Sequence, residues 1–157
     1  MKSFKKFLTY LIISLTCCLS VGLFVFTGIV NKIYAESTAD MGGFAVISAK
    51  STVDVRTGTK ISGFRANNGG AFYVSGGLNI YGGTISGNTA VQNGGAAYVA
   101  SGGVLGIYGG SITGNTAAKG SAVYINGGSM KIGGGTVEGD IYLGNYSNLS
   151  LQLGTLK

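Results

Sequence analysis

With no histidine and only five carboxylates among 157 residues, this chain is poor in groups that move protons. Its two cysteines, Cys17 and Cys18, adjoin each other inside an apolar N-terminal run. Glu36 and Asp40 precede the regular part of the sequence, Asp54 stands alone, and Glu138 and Asp140 are two apart. On an extended segment that spacing sets both side chains on one face, which is what a Ca²⁺-binding or acid–base pair would need. A solvated terminal turn would use the same two residues with no chemistry at all. Catalysis also needs a nucleophile or proton shuttle with a partner to orient it, and without histidine, a cysteine after the leader or a carboxylate ladder no such set is found. The reading is therefore a protein that is not an enzyme, with no cofactor and no metal site.

The nine tyrosines are the other chemical resource. Tyr73, Tyr98 and Tyr124 recur at one place in a repeat, and Tyr142 in Asp140-Ile-Tyr-Leu143 is a fourth member. Tyr81 and Tyr108 form a shorter pair. Tyrosine has an apolar face and a polar tip, so such a column suits stacking against sugar rings or contact with a host or cell surface. It is also a good strand residue whose stacking would simply strengthen a sheet.

The repeat that positions these residues is plain in Thr84-Ile-Ser-Gly-Asn-Thr-Ala90, which returns 27 residues later as Ser111-Ile-Thr-Gly-Asn-Thr-Ala117. Around it lie a glycine-led run (Gly69-Gly-Ala-Phe-Tyr-Val74, Gly94-Gly-Ala-Ala-Tyr-Val99, Gly120-Ser-Ala-Val-Tyr-Ile125) and a second run (Leu78-Asn-Ile-Tyr81, Leu105-Gly-Ile-Tyr108, Met130-Lys-Ile-Gly133). Looser first copies are Gly42-Gly-Phe-Ala-Val-Ile47 and Val53-Asp-Val-Arg56. The third element is anchored by Ile61, Ile85, Ile112 and Val137, spaced 24, 27 and 25 apart.

Three short runs of period 2, each bounded by glycine, describe a rung of three strands, and stacked rungs make a parallel β-helix. About four such rungs fit the length. A single rung cannot bury enough apolar surface to stand alone, so stacking is required. The absence of proline agrees, because every strand N–H is needed as a donor.

Alternation points Phe72, Ala97 and Val123 inward together with Val74, Val99 and Ile125, and likewise Leu78/Ile80, Leu105/Ile107 and Met130/Ile132. The tyrosines then face out. Asn88 and Asn115 fall at the corner after the third strand, where asparagine tolerates the left-handed conformation and its amide can bond to the one above. Glycine pairs serve the other corners.

The N-terminus is of another kind. Lys2, Lys5 and Lys6 precede a run without charge from Phe7 to Val30, which leads to Ile33-Tyr-Ala35. Residues 1–35 read as a signal peptide cleaved after Ala35. The run is also long enough to serve as an uncleaved membrane anchor, the only membrane contact expected. Cys17 lacks the small preceding residue that a lipidation site would want. The mature part would hold no thiol, disulfide or thiolate metal site.

From Glu36 onward seven basic residues face five acidic ones, leaving a net charge of +2, which gives no footprint for nucleic acid. The organisation expected is a leader (1–35), a connector (36–41) and a β-helix (42–157). Asn148-Leu-Ser-Leu-Gln-Leu153 alternates well just before the sequence stops, so continuation of the β-helix beyond Lys157, or truncation, is expected.

Gly82-Gly-Thr-Ile-Ser-Gly-Asn-Thr-Ala90 and Asn93-Gly-Gly-Ala-Ala-Tyr-Val99 resemble the repeats of right-handed parallel β-helix proteins on Gram-positive, especially clostridial, surfaces. More distantly, the glycine-led strand start resembles repeats of chlamydial polymorphic outer-membrane proteins. The resemblance covers residues 42–154 and implies an all-β, right-handed β-helix that is secreted or displayed at the cell surface and adhesin-like. The alternative is a fragment of a polysaccharide-active lyase or hydrolase of the same fold whose catalytic rungs are absent. The hydroxyl pairs Thr84/Ser86 and Ser111/Thr113 are similar to the arrays of ice-binding β-helices, but Thr136/Glu138 breaks the series.

Overall fold

The computed structural model of the protein describes Phe24–Val25 and residues 39–151. The expected leader, apart from Phe24–Val25, and its cleavage point after Ala35 lie outside the described residues, as do Gln152–Lys157. Every regular element within them is a strand, and every pairing is parallel. The chain is a parallel β-helix of about four turns.

β1 (Phe24–Val25) lies against the outer edge of the first turn, which holds β2 (Ala39–Met41), β3 (Ala45–Ile47), β4 (Thr52–Val55) and β5 (Lys60–Ser62). The second turn is β6 (Arg65–Asn68), β7 (Phe72–Val74), β8 (Gly77–Ile80) and β9 (Thr84–Ser86). Ala39–Met41, within the segment expected to be a connector, pairs with β6 of the second turn. The third is β10 (Thr89–Asn93), β11 (Ala97–Val99) and β12 (Val104–Thr113), and the fourth is β13 (Val123–Ile125) and β14 (Ser129–Val137). β15 (Ile141–Leu143) and β16 (Asn148–Leu151) follow.

Equivalent strands stack in register. The first ladder is β3-β7-β11-β13-β15 and the second is β4-β8-β12-β14-β16. The third ladder joins β5 and β9 to the C-terminal halves of β12 and β14. In β12 and β14 the second and third strands thus run on as one, with register shifts around Tyr108. A fourth ladder, β2-β6-β10, lies between the third and the next first strand and is prolonged by bridges from Thr89 to Thr116 and from Asn93 to Lys119. Among its described side chains the buried apolar ones are Ala66 and Ala90, so no alternation marks β6 or β10 in the sequence.

The expected inward residues form the core. Phe72, Val74, Leu78, Val99, Leu105, Val123 and Ile125 are fully buried, and Ile80, Ile85, Ile107, Ile112 and Met130 nearly so. Ile132 is half-buried, packed against the core towards its C-terminal end. At the other end Phe44 packs edge-on against Phe64 and Phe72, with ring centroids 5.2 and 5.4 Å away.

The asparagine corner differs from expectation in one respect. Neither Asn88 nor Asn115 has a positive φ; the left-handed residue is the glycine before each, Gly87 (φ 64°) and Gly114 (φ 59°). Both amides are instead turned into the corner. Asn88 Oδ1 accepts the Phe64 N–H (3.1 Å), and Asn88 Nδ2 donates to the Ile61 carbonyl (3.1 Å) and to Asn115 Oδ1 (3.0 Å). Asn115 Nδ2 donates to the carbonyls of Ile85 and Thr113. These are the only buried polar side chains among the described residues, and each is fully bonded, as burial demands.

The glycine pairs before the first ladder divide two tasks. Gly69 and Gly94 carry the positive φ (67° and 71°), whereas Gly70 and Gly95 lie where the backbone of the next turn passes. A Cβ on Gly95 would sit 2.1 Å from the Ser121 carbonyl oxygen.

Candidate binding face

The side chains that alternate outward on the first ladder are Val46, Tyr73, Tyr98, Tyr124 and Tyr142, paired in register one turn apart. Parallel strands lie about 4.8 Å apart, so identical residues in register bring their rings to that spacing. The observed centroid separations are 5.0, 5.3 and 4.9 Å, with interplanar angles of 12°, 5° and 6°. Rings lying side by side in one plane could not approach this closely, so the four form an offset stack.

That geometry corrects one expectation. The ring faces a sugar would need are largely covered by neighbouring tyrosines, and the column offers ring edges and phenol hydroxyls instead. Tyr98 accepts a hydrogen bond from Asn126 Nδ2 at 2.8 Å. Lys119 Nζ stands 5.5 Å from the centroid of the Tyr142 ring at the C-terminal end of the column, a cation–π distance. Burial and the neighbouring Tyr98 push the Tyr73 phenol above its usual range, so it stays protonated as a hydrogen-bonding group.

The second ladder carries the shorter pair. Tyr81 and Tyr108 stack at 5.2 Å and 18°, with the Arg56 guanidinium 5.6 Å from the Tyr81 ring. Asp54 holds Arg56 at 2.9 Å and accepts from Asn79 Nδ2 at 3.1 Å. Tyr108 leans back over Gly106, where an added Cβ would come within 2.6 Å of its ring. On the third ladder Thr84, Ser86, Ser111 and Thr113 are half-buried hydroxyls flanking the buried Ile85 and Ile112.

Glu138 and Asp140 are both exposed, but Gly139 between them has φ 110°. The extended backbone that would have aligned the two carboxylates is not there. Among the described residues no three His, Cys, Asp or Glu side chains gather where they could hold a metal ion.

The sequence reading missed the polar contacts of the fourth ladder. Asn93 Nδ2 donates to Asn68 Oδ1 (2.8 Å), and Asn67 Nδ2 donates to Asp40 Oδ1 (3.0 Å). Recurrence of Asn-Gly-Gly-Ala at Asn68 and Asn93 was the available signal. Nothing in the sequence pointed to Lys119 or Asn126 beside the tyrosine column. Comparison with known protein families, curated proteins and solved structures gave no match to this chain.

Proposed function

We propose that the protein is a non-catalytic, exported binding module, secreted or held at the cell surface in an adhesin-like role. It presents a repetitive outward face to glycan or to other surface components. The observation that carries this reading is the column Tyr73, Tyr98, Tyr124 and Tyr142, a rigid row of phenols at near-constant spacing. Stacking removes the rotamer freedom that isolated surface tyrosines would lose on binding, so the row is preorganised. A linear polymer with a repeat near the rung spacing would meet the same edge and hydroxyl at each step. Export rests on the basic start, the apolar run and Ala35 in the sequence.

The test uses Tyr98→Phe combined with Tyr124→Phe, which deletes two hydroxyls and keeps both rings in the stack. Binding to immobilised linear surface polysaccharides and to intact cells is compared with that of the unaltered chain. Two hydrogen bonds at about 0.5–1.5 kcal/mol each correspond to a roughly 5- to 150-fold loss of affinity. Unchanged binding by the double variant would remove the column from any recognition role.

A further inference from the structure

The two ends of the β-helix match each other. At the C-terminal end β15 and β16 pair with β13 and β14, and no described strand lies on their outer edges. Leu143, Leu149 and Leu151 are 47 %, 37 % and 63 % exposed there. At the opposite end β3 pairs only with β7 among the described strands, and Val46 is 45 % exposed. Open parallel edges present unpaired N–H and C=O groups to any strand of the right direction.

The repeat arrives at both ends in the same phase. β15 and β3 belong to one ladder and β16 and β4 to another, all running parallel. If Ala45–Ile47 of a second copy were the next rung on Ile141–Leu143, then Thr52–Val55 of that copy would fall on Asn148–Leu151. Leu149 and Leu151 would meet Val53 and Val55 on the inward side, and outward Tyr142 and Ser150 would meet Val46 and Asp54. Apolar meets apolar on the core side throughout.

Charge is complementary as well. Residues 39–62 hold Lys50, Arg56 and Lys60 against Asp40 and Asp54, a net of +1. Residues 138–151 hold Glu138 and Asp140, and Lys119 reaches Tyr142 from the turn before, a net of −1. Opposite signs favour this pairing over contact between like ends. The chain also demonstrates that the edge of β4 takes an added strand, because Phe24–Val25 pairs there in parallel with Val53 and Asp54. Leu149–Leu151 of a neighbour offers an equivalent run that would take its place.

We propose that the protein stacks head to tail on further copies of itself, the C-terminal rung of one against the first turn of the next. Such a contact is heterologous and does not close, so it builds an open series rather than a dimer. It would also continue the outward face from one copy to the next.

Sedimentation velocity of the full chain over a range of concentrations tests this with two exposed substitutions. Leu151→Lys blocks the C-terminal end and Val46→Pro, which deletes an N–H on the free edge of β3, blocks the first turn, and circular dichroism checks that each stays folded. The expected result is a growing series for the unaltered chain, monomer for each variant alone, and dimer with nothing larger for an equimolar mixture of the two. That last result also shows that each variant keeps one working end. A monomeric unaltered chain would overturn the proposal, as would a mixture that stays monomeric. Loss with Leu151→Lys but not with Val46→Pro would show symmetric pairing of C-terminal ends instead. Series formation in both variants would place the contact elsewhere, for instance in the apolar N-terminal run.

Discussion

Replacing Asn88 by alanine should destabilise this protein by about 3–4 kcal/mol, more than an average substitution. The Asn88 side chain is fully buried and makes three hydrogen bonds. Alanine leaves the Phe64 N–H, which donates to Oδ1 at 3.1 Å, without that acceptor. A buried donor left unbonded costs about 1–3 kcal/mol. The bonds from Nδ2 to Ile61 and Asn115 add about 0.5–1.5 kcal/mol each. Asn115 Oδ1 keeps the bond from the Asn88 backbone N–H at 3.0 Å, so its own cost is partial. The total is a large share of an ordinary domain stability of about 5–15 kcal/mol. Asn88→Asp is the sharper probe, because it keeps the volume but sets an oxygen against the acceptors at Ile61 and Asn115. At neutral pH it should be worse than alanine, and the gap should narrow as acid restores one proton. Urea denaturation followed by far-UV circular dichroism measures both, with m-values compared because stacked repeats can unfold in parts. Asn126→Ala, which removes one exposed bond to Tyr98, serves as the control and should cost less than about 1 kcal/mol. If Asn88→Ala were as mild as this control, or Asn88→Asp milder than alanine, the amide would not be what holds the corner.

Two further outcomes follow from backbone crowding and from the tyrosine column. Gly95→Ala should be more damaging than Gly87→Ala, although only Gly87 has a positive φ. A Cβ at Gly95 would lie 2.1 Å from Ser121 O and 2.8 Å from Thr116 N and O, whereas a Cβ at Gly87 has nothing within 4 Å. The left-handed penalty at Gly87 is about 1–2 kcal/mol, and thermal unfolding of the two variants would refute the ordering if Gly87→Ala melted lower. Because the Tyr73 phenol is raised above its unfolded value, its contribution to stability is complete below pH of about 10 and is lost as pH climbs through the folded value. Tyr73→Phe should flatten that part of the alkaline stability profile, and an unchanged slope would show that Tyr73 is not the group responsible.

The three main ladders were legible because each turn repeats a run in which apolar residues alternate. Phe72-Tyr-Val74, Ala97-Tyr-Val99 and Val123-Tyr-Ile125 give the same face assignment three times, and parallel in-register pairing then fixes the tyrosine column without further information. The fourth ladder was not legible for the opposite reason. Arg65-Ala-Asn-Asn68 and Thr89-Ala-Val-Gln-Asn93 send one alanine each into the core, and their remaining order comes from backbone pairing and the amide bond between Asn68 and Asn93. Hydrogen bonds between neighbouring turns leave no period in hydropathy.

One departure in the repeat carried more meaning than its size suggests. The glycine pair before each first-ladder strand becomes Gly120-Ser121 in the fourth turn. At Gly43, Gly70 and Gly95 a Cβ would strike backbone, at 2.4 Å from Gly70 O, 2.1 Å from Gly95 O and 2.1 Å from Ser121 O. Serine is possible at 121 only because the chain above it takes another path. After Gly139 it goes straight from Asp140 into β15, so no fourth-ladder strand and glycine pair are stacked there. The Ser121 hydroxyl uses the space, accepting the Asp140 N–H at 2.8 Å. The fourth ladder therefore stops where glycine first gives way to a side chain, and the rung that follows, built on two ladders, is the one whose leucines stand open. A break in the steric rule of the repeat thus marks where, among the described residues, the fourth ladder stops and the two-ladder rung begins.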